Sequence, residues 1–286
     1  MTLDPRLNAI RDDLADSALR GEVSAPRYAT GRPARIAVGL APVRHAPLPG
    51  TGLDTFFHYG ETVRVFDDGD GHAWCQSCRD SYVGYVDASA LEFGEAPPPT
   101  HYVASLGAYR YAEPDLRSPV IDFLPRHSPV ALAQRGFECR GTAYVGLAGG
   151  GFLPESCLSI EPPRSPDLAA AAALYIGCPY LWAGRNFLGL DCSGLVQEAF
   201  RDLGIAVLRD TDMQRNTIGK AVAEKRVSDL RRNDLIYIPG HVMICAGQGE
   251  VIHASGNDMT VRRDKLATLL KGWKISFADL RVRRPG

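Results

Sequence analysis

"GLDCSGLVQEAFRDLG", residues 189–204, sets a cysteine directly behind an aspartate where an amphipathic helix begins. Leu195, Val196, Ala199, Phe200 and Leu203 form an apolar stripe at i, i+1, i+4, i+5 and i+8. Asp191 can cap the start and Gly204 suits the end. Cys192 therefore falls in the first turn, where unpaired N–H groups and the positive end of the helix dipole favour a thiolate. The competing reading is a buried, inert cysteine, a common fate for a free thiol. A base elsewhere in the chain would decide between them.

Two of the seven histidines lie beyond Cys192. His241 opens the strand-like "HVMICAG" and His253 closes "EVIH", with Gly247 and Gly249 between them. A hairpin with an odd loop centred on Gly247 sets the two rings directly opposite on one face, with Cβ atoms about 4.5 to 5.5 Å apart. A two-residue turn instead sends them to opposite faces. A cysteine nucleophile, a histidine base and a second polar group that orients the base are the parts that acyl chemistry needs.

Around this core the chain reads as three segments. Leu3, Leu7, Ile10 and Leu14 have helical spacing and predict a helical lead-in over 1–30. Residues 31–93 hold short apolar runs between turn residues, with Val63 and Val65 alternating, "DDGDG" as a hairpin turn and the β-rich "YVGYV". The proline-rich "GEAPPPT" at 94–100 reads as a linker, and the β pattern recurs over 101–160, where "TAYVGLAGGGFLPESCL" echoes "DSYVGYVDASAL". Two small all-β barrels are expected. After a second linker, "EPPRSPD" at 161–167, helical stretches (168–176 and 192–203) precede strands in "DLIYIP", "HVMICAG", "EVIHAS" and "FADLRVRR". That order predicts an α+β domain over 165–286.

Composition narrows the function classes. Thirty-two basic residues against 33 acidic ones give no electrostatic reason to expect a nucleic-acid or membrane partner. The N-terminus has acidic residues where a signal peptide is basic, and no window approaches the run of about 20 apolar residues that crosses a bilayer. With seven cysteines in no disulfide pattern, the expectation is a cytoplasmic protein with reduced thiols. "CQSC" at 75–78 has C-x-x-C spacing but no second pair, and Cys139, Cys157, Cys178 and Cys245 read as core or incidental thiols. No metal or cofactor is expected.

The run "GCPYLWAGRNFLGLDCSGLVQEAFRDLGI", then "RDTDMQ", then "DLRRNDLIYIPGHVMICAGQGEVIHASG", closely resembles the NlpC/P60 cysteine peptidases, which cleave cell-wall peptides. The two β segments resemble the bacterial SH3-like domains that precede such peptidases. The resemblance implies a papain-like catalytic domain behind two SH3-like barrels, with Cys192 as nucleophile, His241 as general base and His253 as its orienter. Tyr180 matches a family tyrosine near the nucleophile.

This domain combination resembles the γ-D-glutamyl-L-diamino acid endopeptidases that recycle murein peptides with a free N-terminal L-Ala. Carried over, Asp210 and Thr211 in "RDTDMQ" match the site of the substrate's ammonium, an amine that needs an anionic partner in a partly dry cleft. Thr211 stands where the family often has serine. Asp191, Ser193 and Trp182 match residues lining the D-Glu portion, so mutation of Asp191 is expected to harm turnover more than stability. Tyr82 in "DSYVGYV" is the candidate contributed by the first SH3-like domain, with Asp54 or Glu61 as an acidic group that joins the amine site. Acyl or amide transfer at the same Cys-His-His site, and an inert peptide-binding module, are the alternatives.

Overall fold

Asp70 and Gly71 both have positive φ (50° and 79°), the geometry of a two-residue hairpin turn whose twist matches its strands. The turn joins Thr62–Gly69 to His72–Ser77, with Gly69 paired to His72. Arg140 and Gly141 repeat it (53° and 78°) between Leu132–Cys139 and Thr142–Leu147. The two hairpins occupy matching points of one connectivity used twice.

In the first copy a leading strand, Arg32–Ile36, is followed by the antiparallel pair Leu40–Val43 and Thr55–His58. A meander of Thr62–Gly69, His72–Ser77 and Val83–Asp87 comes next, then a 3-10 turn, Ala88–Ala90, and Leu91–Phe93. Leu91–Phe93 returns to pair with the leading strand. In the second copy His101–Val103 leads, Gly107–Tyr111 pairs with Val120–Pro125, and Leu132–Cys139, Thr142–Leu147 and Phe152–Pro154 form the meander. The 3-10 turn Glu155–Cys157 then delivers Leu158–Ser159 back to His101–Val103. The sequence echo is thus real, but its register is "FLPESCL" on "YVDASAL". The strand Thr142–Leu147 corresponds to His72–Ser77. Val103, Ala108, Leu124, Val130, Val145, Leu147 and Leu153 form the second core.

This computed structural model describes residues 3–48, 50–223 and 226–286. Over residues 3–30 it corrects the expected helix. Leu7 and Asn8 close one turn onto the Asp4 carbonyl, after which Leu14–Asp16 and Arg27–Ala29 pair in parallel. Arg6 gives its carbonyl to Val83 N–H and Leu7 gives its own to Gln76 Nε2. A continuous helix would keep both acceptors for itself. Ala9 and Leu14 are buried against Phe66, Trp74 and Val83, so tertiary burial outweighs the local helical spacing.

The chain divides into two units, Met1–Pro163 and Arg164–Gly286. The second is α+β. Among the described residues its main sheet has six strands, in the spatial order Lys220–Val222, Arg281–Arg284, Leu235–Ile238, His241–Gly247, Glu250–Ser255, Thr260–Lys265, every pair antiparallel. Helices α1 (Leu168–Ala173) and α2 (Cys192–Arg201) pack against the strands carrying the two histidines, and α3 (Thr211–Thr217) follows. Helix α4 (Leu266–Trp273) lies against a core of Ile236, Met243, Cys245 and Val251. α3, α4 and the strand Thr260–Lys265 were not foreseen. Every residue of α2 from Cys192 to Phe200 is buried. Leu195, Val196 and Phe200 are each worth about 1.5 to 3 kcal/mol in burial, while Glu198 is paired with Arg185 at 3.3 Å.

Candidate active site

The start of α2 is held by one carboxylate. Asp191 takes the N-cap in extended backbone geometry, and its Oδ1 accepts the Gly194 N–H at 2.7 Å. The same carboxylate accepts Ala183 N–H at 2.9 Å, the Ser193 hydroxyl at 3.2 Å and two Arg209 N–H groups at 3.0 and 2.6 Å. Five donors fill the roughly four lone-pair sites of a carboxylate. Asp191 is therefore held first by the protein's own donors. The physical reason is Arg209, 1% exposed, whose charge needs this partner. Ser193 is also committed inward, its Oγ accepting from Arg209 Nη1 at 2.7 Å, and is 5% exposed.

The turn before α2 is pressed onto its first residues. A Cβ on Gly194 would sit 2.1 Å from the Gly184 carbonyl oxygen, so only glycine fits there. Ala183, 1% exposed, has φ of 69°, a left-handed conformation costing about 1 kcal/mol or more for a non-glycine residue. The Asp191 carboxylate holds it there through the Ala183 N–H.

Cys192 is 8% exposed. Burial pushes its thiol above the ordinary value and Asp191 adds to the rise, while the Val242 N–H, the Thr211 hydroxyl and Arg209 pull the other way. The depressed value expected from the helix start is therefore overridden by desolvation. Thr211 Oγ1 lies 3.8 Å from Sγ. As the first helical residue, Cys192 also has a backbone N–H with no acceptor inside the helix.

Both histidines share one face, by a route the sequence hid. The hairpin turn is the two-residue Gln248–Gly249 (φ 54° and 72°), which alone would separate them. A β-bulge between Cys245 and Gly247 inserts one residue and restores the parity. The pairings Cys245↔Val251 and Ile244↔Ile252, continued along the strands, set His253 across from Met243 and make His241 its diagonal neighbour. His241 Nε2 lies 2.9 Å from His253 Nδ1, and the ring centroids are 5.1 Å apart. Trp273 packs edge-on against both rings, with centroids at 5.9 and 6.1 Å. Burial lowers His241 to about 3, with His253 adding to the effect, and lowers the fully buried His253 as well. The rings rest neutral.

Tyr180 is half-buried, and burial, with Cys192 and Asp191, raises its phenol to about 12, so it remains an O–H donor at neutral pH. Asp210 stands before Thr211 at the head of α3, and its side chain accepts no capping hydrogen bond from the helix. Trp182 is 69% exposed. Tyr82, 5% exposed, lies beyond a tight turn in which its N–H reaches Asp80 Oδ1 at 3.2 Å. Asp54 lies 3.1 Å from His45 Nδ1 and Glu61 3.1 Å from Arg79 Nη1. Cys75 and Cys178 are both pushed by burial to about 12.

Two residues missed in the sequence complete this group. Arg209 directly precedes Asp210, and an arginine beside an acidic substrate motif was the available signal. Trp273 comes from a helix that was not predicted. A cavity of about 280 Å³ opens beside the histidines, lined by Ile238, Ser255, Asn257, Trp273 and Ile275 among others.

Residues 177–276 match the model of the NlpC/P60 family, and residues 43–91 match that of the bacterial dipeptidyl-peptidase Sh3 domain. Dipeptidyl-peptidase 6 of Lysinibacillus sphaericus is 36% identical over 97 residues, 33% of this chain and 35% of that protein. Gamma-D-glutamyl-L-lysine dipeptidyl-peptidase of Bacillus cereus is 31% identical over 110 residues, 36% of this chain and 32% of that protein. The chain thus spans about a third of the length of these curated relatives. The crystal structure of an NlpC/P60 family protein from Bacillus cereus superposes with a TM-score of 0.70 at 21% identity, covering 88% of this chain and 99% of that one. That likeness shows the fold.

Proposed function

We propose that this chain, which carries an NlpC/P60 domain joined to a bacterial dipeptidyl-peptidase SH3 domain, is a cysteine peptidase. Its substrate is the γ-D-glutamyl bond to a diamino acid in murein peptides with a free N-terminal L-Ala. The observation that carries the reading is the buried Cys192 at a helix start together with the His241–His253 hydrogen bond at 2.9 Å.

The chemistry begins from a neutral pair, since burial raises the thiol and lowers the imidazole. Proton transfer from Sγ to His241 therefore accompanies attack on the amide carbon. The Cys192 N–H and the Tyr180 O–H are the donors proposed for the oxyanion. The His241 proton then passes to the leaving amine, and water resolves the thioester with His241 again as base.

Asp210 is proposed to pair with the substrate ammonium. Its neighbour Thr211 touches the thiol, which favours a short distance between the amine and the scissile bond. Trp182 is proposed to flank the D-Glu portion, and Tyr82 to carry the SH3-like contribution to selecting short peptides. The duplicated connectivity supports reading 101–160 as a second SH3-like barrel. The domains proposed are then 31–93, 101–160 and 165–286. Recycling of released fragments would place the enzyme in the cytoplasm, which fractionation tests.

The purified protein, under reducing conditions, should release the dipeptide L-Ala-D-Glu from L-Ala-γ-D-Glu-diaminopimelate and leave the N-acetylated peptide intact. Cleavage of both would remove the free-amine requirement, and an added amine acceptor appearing in the product would mark a transferase. If neither peptide is cut, the peptidase reading falls.

A further inference from the structure

The hydrogen-bonded chain does not stop at His253. Its Nε2 lies 3.1 Å from Asp264 Oδ2, on the neighbouring strand Thr260–Lys265. His253 pairs directly with Arg262, so Asp264 is its diagonal neighbour on that side, as His241 is on the other. The three groups form one diagonal row across three strands. Arg262 grips both oxygens of Asp264, with Nη2 to Oδ1 at 2.8 Å and Nε to Oδ2 at 2.6 Å, and is itself tied to Asp258 at 2.7 Å. Asp264 was not singled out in the sequence, although the alternation in "TVRRDK" sets it on the same face as Arg262.

Hydrogen-bond polarity along this row has one consistent solution. An ionised carboxylate only accepts, so His253 must donate through Nε2. A neutral imidazole has a single N–H, which leaves Nδ1 of His253 as an acceptor. His241 must then donate from Nε2, and its own single N–H is used. Burial keeps both rings neutral, and the charged groups facing His253 are Asp264, Arg262 and Asp258.

We infer that Asp264 is a positioning residue that sets the tautomer of the base. By taking the Nε2–H of His253 it leaves Nδ1 of His241 bare and able to receive the thiol proton. The inference rests on the Cys–His reading above and adds a fourth member to it. No bond to carbon changes. Asp264 keeps its charge throughout and stabilises the imidazolium that forms on His241 through His253.

The test is the histidine side-chain ¹⁵N spectrum of the full-length protein at neutral pH, which distinguishes bare from protonated ring nitrogens. Nε2–H tautomers are expected for both His241 and His253. Asp264→Ala should introduce Nδ1–H forms of both rings and lower kcat on L-Ala-γ-D-Glu-diaminopimelate about 10- to 100-fold, the usual effect of losing an outer partner of a functional histidine. KM should stay within about threefold, because Asp264 does not touch substrate. Asp264→Glu should restore the tautomers and part of kcat. An Nδ1–H on either wild-type ring overturns the inference, as does an alanine variant that keeps both Nε2–H forms, whatever its activity. If the wild type shows these tautomers yet leaves the peptide uncut, the substrate reading fails and the role of Asp264 in ordering the row stands.

Discussion

At the scale of single residues, Asp191 changes most. Its motif position suggested a substrate contact, but the side chain is the counter-charge of buried Arg209 and the cap of the nucleophile's helix. Removing one partner of such a pair leaves an uncompensated buried charge, so Asp191→Ala should cost about 3 to 5 kcal/mol in urea denaturation of the protein. Loss of turnover with unchanged stability would contradict this assignment. His241 gives a signed pH effect. The unfolded ring takes up its proton near 6.5 and the folded ring only near 3. Between those values the unfolded chain holds more protons, so the stability this ring contributes is present above about 6.5 and falls as the solution is acidified, by up to about 1.4 kcal/mol per pH unit. His241→Gln should flatten that part of the denaturation profile.

The helix-start position of Cys192 and the pairing of His241 with His253 were legible because a helix cap and a hairpin are local patterns. Arg209 and Asp264 were not, since their partners lie 18 and 11 residues away and are fixed only by packing and register.

Among elements, the strand pair carrying the histidines depends on one extra residue. Counting from a centred odd loop predicted rings directly opposite. The observed two-residue turn and bulge make them diagonal, a distance at which ring nitrogens still meet. Deleting Ala246 should remove the bulge yet leave Cys245 across from Val251 and both rings on one face. Inserting one residue between Ile244 and Cys245 should instead send His241 to the other face and bring kcat below about 1% of wild type, while far-UV circular dichroism stays near native. Retained activity in the insertion variant would show that strand register does not set the placement of His241. The expected lead-in helix failed for the opposite reason. Its apolar spacing was genuine, but Arg6 and Leu7 spend their carbonyls on the neighbouring sheet. Gly194 is a sharper test of the packing behind Cys192. Gly194→Ala must displace the Gly184 carbonyl, and a substantially lower Tm together with slower alkylation of Cys192 is the expected result.

For the whole molecule, the sequence carried the α+β character of the C-terminal unit and the repetition in the N-terminal one. The register of that repeat emerged only from strand pairing, because a few shared aromatic and glycine positions align equally well with two strands of a meander. Residues 164–286 have their own sheet, helices and core, so this fragment should fold alone and unfold cooperatively. If Tyr82 and its domain select short peptides, the fragment should cut N-acetylated and longer stems that the full chain rejects. Full discrimination by the fragment would move that selection entirely to residues such as Asp210.

The central claim is that Cys192 attacks the γ-D-glutamyl carbonyl, and the acyl-enzyme reports it directly. Rapid acid quench of the protein with L-Ala-γ-D-Glu-diaminopimelate, followed by peptide mapping, should find the L-Ala-D-Glu acyl group on the Cys192 peptide. Mapping is needed because Cys78, unlike the buried Cys192, is exposed. Peptide cleavage that persists in Cys192→Ala, or turnover that leaves no acyl group on Cys192, would contradict the account.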